Sequence, residues 1–280
     1  MNIGLIDVDG HSGFPNLALM RLSAWHKARG DAVEWWDGFK AYDRVYMSKV
    51  FTFSPDVETI IRADEVIRGG TGYKDYGSLP REIEATLPDY SIYPVSYTHL
   101  RAHIVPRKEG AIRPDFTWEK IKRSDSRDLV LLDNNVLAHP HGIEQIDSMG
   151  HAQVRVDFNQ GLDARLITAD VARMLSKLSW IRFVRLSCDT ASMLPVIEQA
   201  VAYMREAGIA PFRFWCYMLV QDVEEAHRRA LALDKLDIIP FAQPYRDYGG
   251  GEPTTEQRRL ARWVNMRAAF KSCKWEDFRG

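Results

Sequence analysis

The 280-residue chain is 46% hydrophobic and 27% charged, which allows one large domain or two of ordinary size with a buried core. Its 37 Lys and Arg residues balance 38 Asp and Glu residues, so the composition does not support binding along a nucleic-acid backbone. No apolar run approaches the length of a bilayer span, and a strand-like segment begins at Asn2 without a charged leader. Three widely spaced cysteines argue against a disulfide framework. The sequence predicts a cytoplasmic protein that has reduced thiols and does not contact membranes.

The first 75 residues alternate between strand-like and helix-like patterns. The strand-like runs lie at residues 2–9, 32–36, 44–51 and 65–68. Helical spacing of apolar residues covers 16–29, where Gly30 offers a left-handed cap, and a second helix is predicted at 55–63. This alternation favours a parallel sheet. We therefore expect a small flavodoxin-like or Rossmann-like region at residues 1–75 and a polar, proline-punctuated linker at residues 76–94.

The alternation resumes within residues 95–280 and predicts a second α/β domain. Strand patterns lie at residues 129–132, 154–158, 181–186, 212–220 and 238–241. Helical patterns lie at residues 169–178, 193–207, 223–236 and 254–270. Repeated β-α units of roughly 25 to 30 residues suit either a closed or partly closed barrel or an open doubly wound sheet. The periodicity does not choose between these two architectures.

Polar side chains follow the predicted strands of this second domain. In β-α architectures, functional groups converge at the carboxyl ends of the strands. By this criterion the candidate ligand-binding residues are Asp133, Asn135, Asn159, Gln160, Arg165, Ser187 and Asp189. Their carboxylates, carboxamides, hydroxyl and guanidinium suit a polar ligand such as a ribose or an amino acid. Polar loops also follow strands for purely structural reasons, so we assign these residues to binding and assign no catalytic or metal-ligating residue.

Several segments of the chain resemble radical SAM proteins. They are residues 3–16, 64–72, 156–165, 239–247 and 262–265. The similarity is to bacterial and phage members of unknown substrate with a short flavodoxin-like N-terminal region, and it covers most of the chain outside residues 95–103. It implies a partial (β/α)6 barrel over residues 95–280 and a [4Fe-4S] cluster held by cysteines spaced C-x3-C-x2-C.

The resemblance also implies a reaction and its small-molecule cofactor. S-adenosylmethionine would bind the open iron of the cluster through its amino and carboxylate groups. Reductive cleavage, fed by an external electron donor, would give a 5′-deoxyadenosyl radical that abstracts hydrogen from the substrate. None of the matching segments identifies that substrate.

The cluster motif is absent from the position that the resemblance gives it. Residues 95–103 read Val-Ser-Tyr-Thr-His-Leu-Arg-Ala-His, without a cysteine. This nonamer resembles a translated sequencing adaptor, which indicates an assembly artefact, and natural loss in a degenerate homologue is the alternative. His99 and His103 do not replace the thiolates, since imidazole ligands raise the cluster potential and the spacing differs. We expect the chain as written to lack the cluster and to be inactive in the radical reaction.

Two other interpretations stay open. The loop at residues 9–13 approaches, without matching, the D-x-H-x-x-G pattern of cobalamin domains that use a histidine ligand. The N-terminal region is therefore also compatible with a cobalamin- or nucleotide-binding module, in which His11 would contact the cofactor. The last interpretation is a non-catalytic scaffold.

Overall fold

Parallel strands flanked by helices make up the chain in the computed structural model, which describes residues 1–10, 15–93, 95, 98–100, 117–133, 135–246 and 251–280. The described residues divide into two compact units: unit 1 extends up to Val95 and unit 2 runs from Thr98 onward. Both units are mixed α/β with parallel sheets, as the sequence predicts. Among the described residues, every helix is too short or too polar to cross a lipid bilayer.

Unit 1 contains a four-stranded parallel sheet in the order β2-β1-β3-β4. Its elements are β1 (Asn2–Asp7), α1 (Leu17–Lys27), β2 (Ala32–Trp35), β3 (Tyr42–Ser48), β4 (Ala63–Gly69) and α2 (Arg81–Glu84). Asn16 caps α1 through its side-chain oxygen, which accepts a hydrogen bond from the Leu19 amide at 3.2 Å. The chain crosses from one side of β1 to the other between β2 and β3. This reversal creates a topological switch point, where a crevice forms at the carboxyl ends of β1 and β3.

The helix predicted at residues 55–63 is wrong. Residues 55–62 have no regular secondary structure, and β4 begins at Ala63. The β-branched residues of this segment lose side-chain freedom in a helix. Val57 and Ile61 pack against the core of unit 1 without helical structure, and Ile60 is 86% exposed.

The predicted linker at residues 76–94, which the structure describes for residues 76–93, carries α2 and packs within unit 1 through Ile83 and Asp89. Ile83 lies in the hydrophobic core with Leu19 and Leu22 of α1. The Asp89 carboxylate accepts hydrogen bonds from Ser23 Oγ at 2.7 Å and Lys27 Nζ at 2.6 Å of the same helix. Burial alone would raise the pKa of Asp89, but these bonds, with others from Ser91, outweigh it and lower the pKa to about 2.

We expect unit 1 to lose stability as the pH falls from about 4 towards 2. A carboxyl group whose pKa is lower in the folded chain than in the unfolded chain stabilises the fold only while it is ionised. Because Lys27 is partly exposed and solvent screens its charge, we expect Asp89→Asn to lower the free energy of unfolding by about 1–2 kcal/mol at neutral pH. Urea unfolding of both chains should show this difference at neutral pH and show it shrinking at low pH. A difference independent of pH would contradict the assignment.

Unit 2 is built on parallel strands that follow one another in sequence order. Its strands are β5 (Thr98–Leu100), β6 (Asp128–Leu131), β7 (Arg155–Phe158), β8 (Ser179–Trp180), β9 (Val184–Ser187), β10 (Phe214–Val220) and β11 (Ile239–Pro244). They form the runs β5-β6-β7-β8 and β9-β10-β11, and a parallel bridge between Leu162 and Leu186 connects the loop after β7 to β9. Strand β5 lies within the nonamer 95–103 and pairs with β6.

The helices of unit 2 bury one face of this sheet. They are α3 (Trp118–Ile121), α4 (Pro140–Gly150), α5 (Ala169–Ser176), α6 (Leu194–Glu206), α7 (Val223–Lys235), α8 (Thr255–Asn265) and α9 (Arg267–Ser272). Alternate residues of β10, such as Cys216 and Met218, are fully buried in one core with Ile197 of α6 and Ala226 of α7. The residues between them are half-exposed, so β10 presents its other face outside this core.

The long elements of unit 2 form within a few residues of their predicted positions. The predicted tail helix 254–270 is instead two helices, α8 and α9, which meet at Met266 with a non-helical ψ of 84°. Helix α4 was missed because Gly142 and Gly150 weaken its helical signal. Tertiary packing of its buried Ile146 and Met149 stabilises it.

Candidate functional site

A cavity of about 300 Å³ lies in unit 2 beyond the carboxyl ends of β7 and β9. Its polar lining comes from Asn135, Gln160, Asp163, Arg165, Ser187 and Asp189, and its apolar lining from Leu162, Ala164 and Met193. This position follows the rule that ligands bind outside the carboxyl ends of parallel strands. The volume is at the lower end for small-molecule sites.

Asp163 is the centre of the polar network in this cavity. Its carboxylate accepts two hydrogen bonds from Arg165, from Nε at 2.8 Å and from Nη2 at 2.7 Å. Asn135 Nδ2 donates a third at 3.0 Å, and the Arg165 amide a fourth at 3.1 Å. The hydrogen bonds from Arg165 lower the pKa of Asp163 despite its partial burial. The pair therefore stays ionised and places a carboxylate and a guanidinium side by side at the cavity wall.

A glycine, Gly161, allows the loop after β7 to turn so that Asp163 lies beside β9. Gly161 has a φ of +85°, a left-handed conformation that strains residues with a side chain. The turn at Gly161 allows the Leu162 amide to donate to the Arg185 carbonyl at 2.8 Å. Backbone pairing between this loop and β9 thereby brings the Asp163 loop and Ser187 into one cavity.

Some polar groups of the cavity have no protein partner. Asn135 Oδ1 is buried and accepts no hydrogen bond within the part of the chain that the structure describes. Ser187 Oγ likewise makes no hydrogen bond to a described residue, while Asp189 accepts one from the Leu219 amide at 3.2 Å. Buried polar atoms are nearly always satisfied in folded proteins. The free acceptor and hydroxyl are therefore suited to a polar ligand.

The structure brings together five of the seven residues selected from the sequence: Asn135, Gln160, Arg165, Ser187 and Asp189 line the cavity. Asp133 is not among the lining residues and is only 4% exposed. Asn159 is also outside the lining, and its amide continues the sheet by donating to the Leu131 carbonyl at 3.0 Å. The sequence selection missed Asp163, although an acidic residue two positions before Arg165 is the pattern of a side-chain-capped turn.

A second polar network lies on the sheet face away from the helices, and sequence reasoning missed it entirely. Arg185 donates from Nε and Nη2 to the Asp157 carboxylate at 2.6 and 2.7 Å, and from Nη1 to Tyr217 Oη at 2.8 Å. Burial would lower the pKa of Arg185, but the Asp157 carboxylate outweighs it and raises the pKa. Ser187 lies two residues beyond Arg185, on the same face of β9, and is paired in register with Tyr217. The network therefore adjoins the cavity.

A larger cavity of about 410 Å³ lies on the other side of Arg165, against α6. Its lining combines apolar residues with four polar ones, Arg165, Thr168, Gln199 and Tyr203. We place the functional site in the smaller cavity because the hydrogen-bonded carboxylate of Asp163 and the unsatisfied Asn135 Oδ1 lie there, at the carboxyl ends of the strands.

The cysteines lie outside both cavities. Cys188 follows β9 and Cys216 is within β10, and both are fully buried, whereas Cys273 follows α9 and is partly exposed. Hydrogen bonding with Cys216 lowers the pKa of Cys188, and burial raises the pKa of Cys216. Within the described ranges, no three His, Cys, Asp or Glu side chains are grouped so as to hold a metal ion. His11 and His103 lie outside the described residues.

No protein-family model, curated protein or solved structure matches the chain significantly. The geometry of the cavity and the order of the strands therefore carry the functional argument.

Proposed function

We propose that unit 2 is a radical SAM domain by descent and that its strand-end cavity binds S-adenosylmethionine. The observation that carries this proposal is the convergence of Asn135, Gln160, Arg165, Ser187 and Asp189, each selected by its place after a strand, on one cavity. The chain as written binds the ligand without cleaving it, because it lacks the cysteines that would hold the cluster.

The order of the strands supports a barrel-type interpretation of unit 2. Within each of the two sheets, β5-β6-β7-β8 and β9-β10-β11, the pairings are parallel and neighbouring strands are consecutive in the sequence. A doubly wound sheet reverses its strand order at a switch point, whereas the wall of a (β/α) barrel does not. This order is compatible with the partial (β/α)6 barrel implied by the resemblance, in which the cavity would lie at the carboxyl ends of the barrel strands.

The polar groups of the cavity match those of S-adenosylmethionine. The Asp163 carboxylate and the free Asn135 Oδ1 accept from an amino group or from ribose hydroxyls. Arg165 has donors left after its two bonds to Asp163, and with Ser187 Oγ it can bind the carboxylate of the ligand. Asp189 is exposed at the edge and accepts from a ribose hydroxyl.

The residues of this chain do not fit an iron–sulfur cluster. Such a cluster in this family requires three thiolates at one site. Cys188 and Cys216 are buried in the core of unit 2, and the remaining cysteine, Cys273, is in a different segment after α9. We therefore derive no step through iron, and the proposed activity is ligand binding.

Calorimetric titration with S-adenosylmethionine tests the proposal. We expect binding by the unaltered chain and at least about tenfold weaker binding by Asp163→Ala, because a charge-assisted hydrogen bond contributes about 1.5–3 kcal/mol. Asp170→Ala is the matched control, since Asp170 pairs with Arg173 on the exposed surface of α5, and it should bind like the unaltered chain. Absence of binding, or equal affinity in Asp163→Ala, would refute the proposal and favour the scaffold interpretation.

A further inference from the structure

We infer that Lys49 of unit 1 forms an anion site at the switch point between β1 and β3, and that this site takes the phosphate of a nucleotide-like ligand. The inference concerns unit 1 and does not depend on the function proposed for unit 2. It rests on a buried cation, on the backbone around it and on the loop that follows it.

Lys49 is a buried residue with an unpaired charge. It directly follows β3 and is only 7% exposed. Its Nζ lies 5.4 Å from the centroid of the Tyr73 ring, and within the described part of the chain this ammonium has neither a hydrogen-bond acceptor nor an ion-pair partner. Lys49 Nζ is not among the buried polar atoms that lack a partner, so the end of this buried side chain is accessible at the surface. An anionic ligand at the crevice could therefore pair with this ammonium.

The backbone of unit 1 is shaped around the stem of Lys49. A Cβ at Gly72 would lie 2.4 Å from Lys49 Cγ, and one at Gly70 would lie 2.4 Å from the Lys49 carbonyl oxygen. Gly70 also has a φ of +102°, which favours glycine. The Gly72 amide donates to the Lys49 carbonyl at 2.9 Å, and the Lys49 amide to the Gly69 carbonyl at 3.1 Å. The position of Lys49 is therefore fixed by the turn after β4.

The acidic residues around this crevice are engaged by other groups. Asp9 accepts hydrogen bonds from the Val50 amide and from Ser54 Oγ. Tyr93 Oη donates to Asp7 at 2.5 Å, and burial raises the pKa of Asp7.

Asp56 is the acid whose charge interacts with Lys49. It accepts a hydrogen bond from Tyr73 Oη at 2.6 Å and forms no ion pair with Lys49. The hydrogen bond from Tyr73 lowers the pKa of Asp56, so this carboxylate stays ionised near the site. Because no ion pair with Asp56 occupies Lys49, its ammonium can pair with a ligand.

The loop that begins with Lys49 also offers a surface for a planar group. Phe51 is 42% exposed, and one face of its ring stacks on Phe53 with centroids 5.2 Å apart and an interplanar angle of 21°. Exposed aromatic rings stack on nucleobases. In open α/β sheets, nucleotides bind at the switch point. A phosphate on Lys49 beside these rings fits a nucleotide, and the same phosphate chemistry occurs in the nucleotide tail of cobalamin.

Calorimetric titrations of the full chain with adenosine 5′-monophosphate, adenosine, inorganic phosphate and hydroxocobalamin test this inference. We expect the monophosphate to bind at least tenfold more tightly than adenosine, and inorganic phosphate to compete with it. Lys49→Met keeps the length of the stem beside Gly72 and removes the charge, and it should abolish that preference. Lys40→Met is the control, because Lys40 is exposed and paired with Glu34, and it should leave the preference intact.

The comparison between the monophosphate and adenosine on the unaltered chain requires no variant, so a misfolded Lys49→Met does not prevent the test. Competition by hydroxocobalamin would support the site and indicate a corrinoid source of the phosphate. Equal affinity for the monophosphate and adenosine would overturn the inference, as would an unchanged preference in folded Lys49→Met. The Asp163→Ala variant should retain the preference, which separates this site from the cavity of unit 2.

Discussion

Replacing Asp157 with alanine is expected to lower the free energy of unfolding of unit 2 by about 3–5 kcal/mol. Asp157 is 7% exposed, and its two carboxylate oxygens accept hydrogen bonds from Arg185 at 2.6 and 2.7 Å. The side chain of Arg185 is itself only 15% exposed. Removing the carboxylate leaves a guanidinium buried between strands without its counter-ion. The cost comes mainly from that unpaired charge and less from the attraction that is lost.

The same sheet contains a matched control for this effect. Arg155 and Asp128 pair across β6 and β7 with the same two-bond geometry, at 2.7 Å for each bond, but the side chain of Arg155 is 54% exposed. Solvent screens this pair, so Asp128→Ala should cost no more than about 1 kcal/mol. Chemical denaturation of both variants at neutral pH measures the contrast. Equal losses would show that burial does not decide the energetics of these two pairs.

Local pattern was enough to predict most elements of the fold. The apolar runs of β6, β7 and β10 and the helical spacing of α6 and α7 are read directly from consecutive residues. The segment 55–63 shows the limit of this reasoning, since Ile60 and its apolar neighbours look like a helix face although tertiary structure provides nothing for Ile60 to pack against. Burial, which decides whether such a pattern folds, depends on residues far away in sequence.

The candidate site was predicted in part for a physical reason. Parallel strands bring their carboxyl ends to one edge, so residues after a strand, such as Asn135 and Ser187, could be named without a structure. The pairing of Asp157 with Arg185 could not be predicted from the sequence, because it depends on which residues of β7 and β9 lie next to each other in space. The burial of Lys49 could not be predicted either. A lysine after a strand is usually solvated, and here its burial depends on Gly70 and Gly72 in the turn after β4.

Anaerobic reconstitution with iron and sulfide is expected to leave the unaltered chain without a stoichiometric cluster. Cys188 and Cys216 are in the core among residues such as Leu186 and Met218, and an inorganic cluster does not fit there without unfolding the sheet. Two thiolates also fall short of the three that the cluster needs. Visible absorption and iron analysis of the desalted protein measure the outcome. A stoichiometric charge-transfer band on this chain would contradict the argument.

The prediction that no cluster forms depends on the nonamer at residues 95–103. Three closely spaced cysteines encoded by intact DNA reads across these codons would identify the nonamer as an assembly artefact. A chain rebuilt with that natural segment should then take up one cluster, while its Asp163→Ala variant should still take it up and bind S-adenosylmethionine more weakly. Under the proposed function, the thiolates alone would hold the iron, whereas Asp163 and Arg165 would contact the cofactor from the loop after β7. If intact reads encode the nonamer as written, the loss is natural, and binding without cleavage is the activity to be measured.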